Sequence, residues 1–400
     1  MFRESGKVGT LIPTVFIFGA GASKDAGIPL ANEILPKIIL QHSESLGEHA
    51  IRVKDFLRDL RWSHKGGKDH LPTFEEVLSF LDLAVVNGEV FSKTFQKLEK
   101  IRDSFIHCLE SLIESERMKN ETNTSHYKKL ISLFCPNELP YATFITLNYD
   151  TLLDEALIGA RSVAGHDEYT GADYCLVTHS GRFSLFGNDK KLLENFKLYD
   201  FAHSKSPVKL LKLHGSINWG FCPRCRMMVG PYRGAFSINL NGVEKRCPDH
   251  GIPLQTLIVP PSWNKNYRVH SIQTVWEMAR LKLIEAERVV FIGYSLPEAD
   301  QEVRYLLKVG LFREDEPPPF IYVVDKEGGD EDTEKRYRRF FNELEYQVIG
   351  FRGYLEGLKQ TSDKTGVLGL TEEENKKFKS SSSNASRKEQ KPAFENSQIR

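Results

Sequence analysis

The stretch Gly19-Ala20-Gly21-Ala22-Ser23, with Gly27-Ile28-Pro29 soon after, puts glycines directly behind an apolar run. Glycine lets a backbone come close to a diphosphate, and a helix N-terminus behind it offers free N–H donors. A tight strand-to-helix turn with no ligand would use the same residues. The pattern also departs from the ordinary dinucleotide fingerprint. Lys24 stands where the third glycine belongs, and no second strand ending in an acidic residue follows to hold a ribose. These departures argue against a dehydrogenase.

Three further motifs sit at the ends of apolar runs. Thr146-Leu147-Asn148-Tyr149-Asp150 offers an amide and a carboxylate. Lys212-Leu213-His214-Gly215-Ser216 offers an imidazole, with Asn218 and Trp219 just beyond, and Gly293-Tyr294-Ser295-Leu296 offers another glycine turn near Asp300. Asp325 follows the run Phe320–Val324, where its carboxylate could accept from ribose hydroxyls. Open α/β sheets bind ligands at the carboxyl ends of their strands. A His placed there can exchange a proton near neutral pH, and a fixed amide can orient water or a sugar. Plainer roles stay open at this level: Asn148 and Asp150 as helix caps, His214 as a structural residue.

Cys222-Pro-Arg-Cys225 and Cys247-Pro-Asp-His250 form two C-x-x-C/H knuckles. They suit a tetrahedral Cys3His zinc site, and a closed set of four ligands leaves no position for catalysis, so the zinc is expected to be structural. Unmetallated thiols in a loop are the alternative. Cys108, Cys135 and Cys175 read as small apolar residues.

These groups need elements to hold them. Thr14–Phe18 reads as a buried strand ended by Gly19, with Ser23 able to cap the helix that follows. From Glu33 onward apolar residues recur at helical spacing, as in Val77, Leu78, Leu81 and Val85, then Phe105, Leu109 and Leu112. Turns are expected at Gly66-Gly67 and over Asn120–Ser125. The spacing predicts a helical insertion over 33–135, longer than an ordinary crossover connection. Ala142–Leu147, Leu210–Leu213, Thr256–Val259, Val289–Ile292 and Phe320–Val324 read as further strands, with a helix from Thr151. Strands alternating with helices predict a doubly wound, mostly parallel Rossmann-like α/β sheet. The catalytic domain is expected to span 1–365, with a zinc-binding insertion over 220–251. The polar stretch 366–400 cannot bury enough apolar surface to offset its ordering entropy and is expected to be disordered.

The totals narrow the class. Basic and acidic residues balance at 54 each, with no evident basic patch, so no nucleic-acid partner is expected. No apolar run reaches bilayer length, and no membrane association is expected. Arg3, Lys7, the run Leu11–Phe18 and Ala20-Gly21-Ala22 imitate a signal peptide, but Pro13 interrupts the run and the strand reading is preferred. Half of the 6 cysteines cluster with a His, which favours a metal over disulfides and a cytoplasmic location.

Taken in order, Gly-Ala-Gly-Ala-Ser with Gly-Ile-Pro, Thr-x-Asn-x-Asp, His-Gly-Ser and Gly-x-Ser-Leu resemble the sirtuin-like NAD-consuming family. The likeness covers most of residues 14–325 apart from the helical insertion. Asn-Tyr-Asp, His-Gly-Ser-x-Asn-Trp and Gly-Tyr-Ser-Leu look closest to its bacterial antiphage NAD hydrolase branch. The resemblance implies NAD as substrate, its phosphates held by Gly19, Ala20, Gly21 and Ser23, with Gly293 and Ser295 closing the site. It places Asn148 and Asp150 beside the nicotinamide ribose and gives His214 the catalytic role. It also implies a zinc ribbon soon after that His, where the knuckles fall. The expected activity is hydrolysis of NAD to ADP-ribose and nicotinamide, as a defence effector that depletes cellular NAD. NAD-dependent deacylation and non-catalytic nucleotide sensing are the alternatives. In deacylases the stretch after the zinc ribbon pairs with a peptide; here it contains Pro260, Pro261 and Trp263, poor material for such pairing. Control of an NAD hydrolase is expected to come from a homo-oligomer or a separate sensor or activator protein.

Overall fold

The computed structural model describes residues 11–61, 71–87, 95–119, 126–134, 138–160, 172–176, 208–229, 246–247, 249–260, 270–314 and 317–365. The expected turns at 66–67 and 120–125, the expected disordered tail, Cys135, Pro261 and Trp263 lie outside these residues.

The chain opens with β1 (Thr14–Phe18), a 3₁₀ turn (Ala20–Ala26) and five helices, α1 (Ala31–Leu40), α2 (Ser43–Asp59), α3 (Phe74–Asn87), α4 (Phe95–Lys119) and α5 (His126–Leu133). Then come β2 (Ala142–Thr146), α6 (Leu152–Ala160), β3 (Lys209–Lys212), β4 (Gly215–Phe221), β5 (Met228–Val229) and β6 (Gln255–Ile258). The last part runs α7 (His270–Glu285), β7 (Arg288–Ile292), α8 (Gln301–Leu311), β8 (Phe320–Val324), α9 (Glu331–Phe340), β9 (Glu345–Gln347) and α10 (Gly350–Thr365).

Six strands form one parallel sheet in the order β3-β2-β1-β7-β8-β9. The run that imitates a signal peptide is its inner strand β1, buried at all five positions. A short run with no polar face is stable only where both sides are covered, and β2 and β7 are buried throughout in the same way. Strand order reverses between β1 and β7, which makes a crevice at their carboxyl ends. The sheet is the doubly wound, Rossmann-like arrangement expected. Strand β9 (Glu-Tyr-Gln) is too short and polar to have been read as one.

The run Thr256–Val259 does not join that sheet. As β6 it pairs antiparallel with β4 in a separate three-stranded sheet, β5-β4-β6. Apolar periodicity identifies a strand but not its partner, and β4 itself went unread because Ser216, Ile217, Asn218 and Trp219 are all buried, which ordinary alternation does not signal.

Between β1 and β2, α2 and α3 pack on α4, and α5 packs on α6. Phe74, Val77, Leu78, Leu81, Phe105, Leu109 and Leu112 are fully buried, at about 1.5–3 kcal/mol of hydrophobic transfer each. Helix α3 starts with a reciprocal cap: Glu76 N–H donates to Thr73 Oγ1 (3.2 Å), and Thr73 N–H donates to Glu76 Oε2 (2.6 Å). Among the described residues no helix is long and apolar enough to cross a membrane.

Candidate active site

The glycine loop, the end of β2 and the end of β7 meet at the strand-order reversal. Gly19 N–H donates to the Ile292 carbonyl (3.1 Å), Gly21 N–H to the Gly293 carbonyl (2.9 Å), and Leu147 N–H to the Phe18 carbonyl (3.0 Å). Gly293 has φ +62°, and a Cβ there would lie 2.2 Å from the Ala22 nitrogen. Backbone thus packs on backbone, which no residue but glycine permits. The other side of the loop, at Ala20 and Gly21, is exposed.

Ser23 does not cap a helix as expected. No side chain caps the 3₁₀ turn, and Ser23 is its fourth residue, wholly buried. Its hydroxyl donates to Asp150 Oδ2 (2.8 Å) and lies 3.0 Å from the Tyr127 hydroxyl. With its one proton given to Asp150, Ser23 accepts from Tyr127. Asn148 Nδ2 lies 3.0 Å from the Gly19 carbonyl, 3.0 Å from Ser23 Oγ and 3.3 Å from the Tyr127 hydroxyl. Asp150 Oδ1 accepts from Leu152 N–H (3.0 Å), so Asp150 does cap α6 while its other oxygen holds Ser23. Burial raises the Asp150 pKa, against the opposing pull of Lys212 and the Ser23 hydrogen bond. Burial also raises that of Tyr127, which stays a neutral phenol.

Beneath this loop lies a second buried layer. Lys212 is fully buried; its Nζ donates to the Asp150 carbonyl (2.6 Å) and to Asp154 Oδ2 (2.8 Å). Tyr174 donates to Asp154 Oδ1 (2.8 Å), and Asn218 Nδ2 lies 3.4 Å from the same oxygen. Tyr127, Asp154 and Tyr174 were not singled out from the sequence. Asp154 follows Asp150 by one helical turn, a signal that could have been used; Tyr127 and Tyr174 carry none.

His214 sits in the tight turn from β3 into β4 and is 4% exposed. Gly215 makes the turn at φ +76°, where a Cβ would meet the Leu257 carbonyl at 2.1 Å. Trp276 of α7 donates to the Leu213 carbonyl (2.9 Å), and Val259 N–H donates to the His214 carbonyl (2.9 Å). The Tyr149 carbonyl accepts from Ile217 N–H (3.0 Å) and Ser216 Oγ (3.3 Å), and the Tyr149 and His214 rings are 6.3 Å apart. The Asn-Tyr-Asp loop is therefore bonded to the glycine loop on one side and to the His-Gly-Ser strand on the other.

Ser295 and Asp325 lie on the β7–β8 side. The exposed Ser295 accepts from Arg336 through its carbonyl (2.9 Å), and Tyr294 donates to Asp300 Oδ2 (2.9 Å). Asp325 follows β8, whose Val324 carbonyl accepts from Gly293 N–H (3.2 Å). Its carboxylate accepts from Lys326 N–H and the Tyr346 hydroxyl, 2.8 Å each.

The knuckles form a second centre on the small sheet. One ligand atom from each of Cys222, Cys225, Cys247 and His250 lies within 4.8 Å of the others. Cys222 Sγ–His250 Nδ1 and Cys225 Sγ–Cys247 Sγ are 3.8 Å, and Cys247 Sγ–His250 Nδ1 is 3.4 Å. A tetrahedral zinc with bonds of about 2.3 Å to sulfur and about 2.0 Å to nitrogen sets its ligands roughly 3.5–3.8 Å apart. The donor set could hold zinc. Cys108 is buried in the core and Cys175 partly so; burial pushes both thiols up to about 12, the behaviour of inert apolar residues.

No curated protein matches this sequence. Among solved structures, one of Sir2Tm bound to a propionylated peptide is similar at 14% identity, covering 88% of this chain and 93% of that chain with a TM-score of 0.40. One of a Sir2 homolog–NAD complex is similar at 16% identity, covering 88% and 89% with a TM-score of 0.43. A sequence model of the SIR2-like domain matches residues 142–349, from β2 through β9. That match takes in more than half of the 400 residues, and the chain belongs to the SIR2-like domain family.

Proposed function

We propose that this protein hydrolyses NAD to ADP-ribose and nicotinamide. The observation that carries the reading is the double anchoring of the Asn-Tyr-Asp loop, to the glycine loop through Asn148 and Asp150 and to the His214 turn through Tyr149. Membership of the SIR2-like family implies NAD-binding or NAD-using chemistry. The exposed edge of the glycine loop and Gly293 suit the diphosphate, with Ser295 beside them and Asp325 toward a ribose. The side chain of Ser23 is committed to Asp150, so its part is to fix the loop.

Cleaving the nicotinamide–ribose bond sends the bond's electron pair to nicotinamide and builds positive charge on the sugar. A buried carboxylate and fixed amide and hydroxyl dipoles stabilise such charge without reorganising. His214 is the group suited to take a proton from a hydroxyl near neutral pH. Zinc on Cys222, Cys225, Cys247 and His250 would serve folding, since the four ligands leave no open position. Resemblance to the antiphage branch supports a defence role in which NAD depletion is the effect, regulated through self-association or a partner protein.

Incubating the purified protein with NAD, with and without an acylated peptide, tests the reading. ADP-ribose and nicotinamide alone are expected, and His214→Ala should lower turnover about a hundredfold to ten-thousandfold. O-acyl-ADP-ribose formed in step with peptide deacylation would replace this reading with the deacylase one. NAD binding without turnover would leave a sensing module.

A further inference from the structure

We propose that Glu75 and Ser79 of α3, with the Tyr149 hydroxyl, hold the water that accepts the ADP-ribosyl group, and that the Glu75 carboxylate takes its proton. The assignment rests on the NAD hydrolase reading and extends it to the acceptor side of the site.

Glu75 and Ser79 are one helical turn apart and share a face of α3 with Asp82. Glu75 Oε2, Ser79 Oγ and Tyr149 Oη are each buried with no hydrogen-bond partner among the described residues. Tyr149 is only 7% exposed, and its hydroxyl lies in the field of Glu75, Asp300 and Asp82 together. The Tyr149 phenol therefore looks toward this face of α3 while its ring lies beside His214. Unpaired buried polar atoms cost about 1–3 kcal/mol each, and three in one place mark a site that a small polar molecule completes. A buried water makes about three such bonds. Glu75 can only accept from it when ionised, while the two hydroxyls can donate or accept.

The reciprocal cap at Thr73 and Glu76 fixes the first turn of α3 and with it the place of Glu75. A helix N-terminus favours an ionised carboxylate, yet burial outweighs this and pushes Glu75 up to about 7. The charged or titratable groups around it are Glu76 and Asp82 on α3, Tyr149 and Asp300 across from it, Arg102 of α4 bound to Asp82 (2.6 Å), and His214 beyond Tyr149. A carboxylate titrating near neutrality is suited to general-base work. In the step, the water oxygen bonds to the ribose carbon as the nicotinamide bond breaks. The electron pair leaves with nicotinamide, one water proton passes to Glu75, and solvent later removes it.

Exchange of labelled nicotinamide into NAD breaks and re-forms the same bond without water, so it separates acceptor binding from bond cleavage. In the full-length chain, Glu75→Gln should lower ADP-ribose formation about a hundredfold or more while exchange stays near wild type. The acidic limb of the hydrolysis pH profile, with its midpoint near 7, should vanish in the same variant. Tyr149→Phe, which keeps the ring and loses only the hydroxyl, should shift the ratio of hydrolysis to exchange the same way and serves if Glu75→Gln does not fold. Equal loss of both reactions, or hydrolysis and its acidic limb unchanged, overturns the role of Glu75 alone. A wild-type chain that neither releases nor exchanges nicotinamide overturns the NAD reading and this assignment together.

Discussion

At the strand-order reversal, the groups that touch come from far apart in the chain: Ser23 bonds Asp150 across 127 positions, and Asn148 bonds Gly19 across 129. In the small sheet, all four cysteine and histidine donors fall within residues 222–250. The first arrangement exists only once the parallel sheet has closed around it. The second can be gathered locally by an ion. Stability in the first region should therefore depend on buried pairing and backbone fit, and in the second on metal.

The largest effect expected is loss of zinc. Structural zinc supplies about 10–16 kcal/mol of binding free energy in small zinc domains. Elemental analysis should find one zinc per chain, and a strong chelator or Cys247→Ser should abolish ordered exchange protection in β4–β6 before it affects β1, β2 or β7. Simultaneous loss of protection in both sheets would erase the distinction between the regions. Zinc-free protein with an intact small sheet would remove the metal from the account.

Lys212→Met comes next. It leaves Asp154 buried without its cation and should cost about 3–5 kcal/mol in urea unfolding. The paired change Lys212→Met with Asp154→Leu should recover part of that loss. A cost below about 1 kcal/mol, the value of an exposed pair, would show that the layer beneath the active loop is not a closed buried network.

Two glycines sharpen the contrast at smaller scale. Gly251 beside His250 and Gly293 beside the glycine loop have nearly equal φ, +64° and +62°. Alanine at either costs about 1–2 kcal/mol for the left-handed conformation. At Gly251 nothing lies within 4 Å of the added carbon, whereas at Gly293 it meets the Ala22 nitrogen at 2.2 Å. Gly293→Ala should thus be the more destabilising in thermal melts and should also raise KM for NAD. Equal costs at the two positions would show that the loop can move away from β7.

The smallest effect is on pH dependence. Asp150 and Glu75 both have pKa values raised in the folded chain, so the native state holds more protons than the unfolded one as pH climbs from the ordinary carboxylate range. Their contribution is fully present below the unfolded values and is lost as pH rises toward the folded ones, about 7 for Glu75. Stability of Glu75→Gln should fall less between pH 4.5 and 7 than that of wild type. The four knuckle variants should leave this slope alone.

What the sequence by itself determined was whatever short range decides. Unbroken apolar runs such as Thr14–Phe18 and Val289–Ile292 are stable only as covered strands, and Cys-x-x-Cys with Cys-x-x-His brings its own four ligands. Glycines at 19, 21 and 293 announced a close backbone approach, although not that the closest partner would be other backbone. The tertiary structure alone decided which strands pair. It sent Gln255–Ile258 to the small sheet, because strand periodicity is the same whatever the partner. It also decided the second partner of each polar group. Ser23, which from its position could cap a helix, was drawn instead into hydrogen bonds with Asp150 and Tyr127, since a buried hydroxyl must find partners wherever packing leaves them. Tyr127 and Glu75 carry no motif; their chemistry comes from the helices of the long connection being folded back over the end of β2, a long-range packing result that no local spacing encodes.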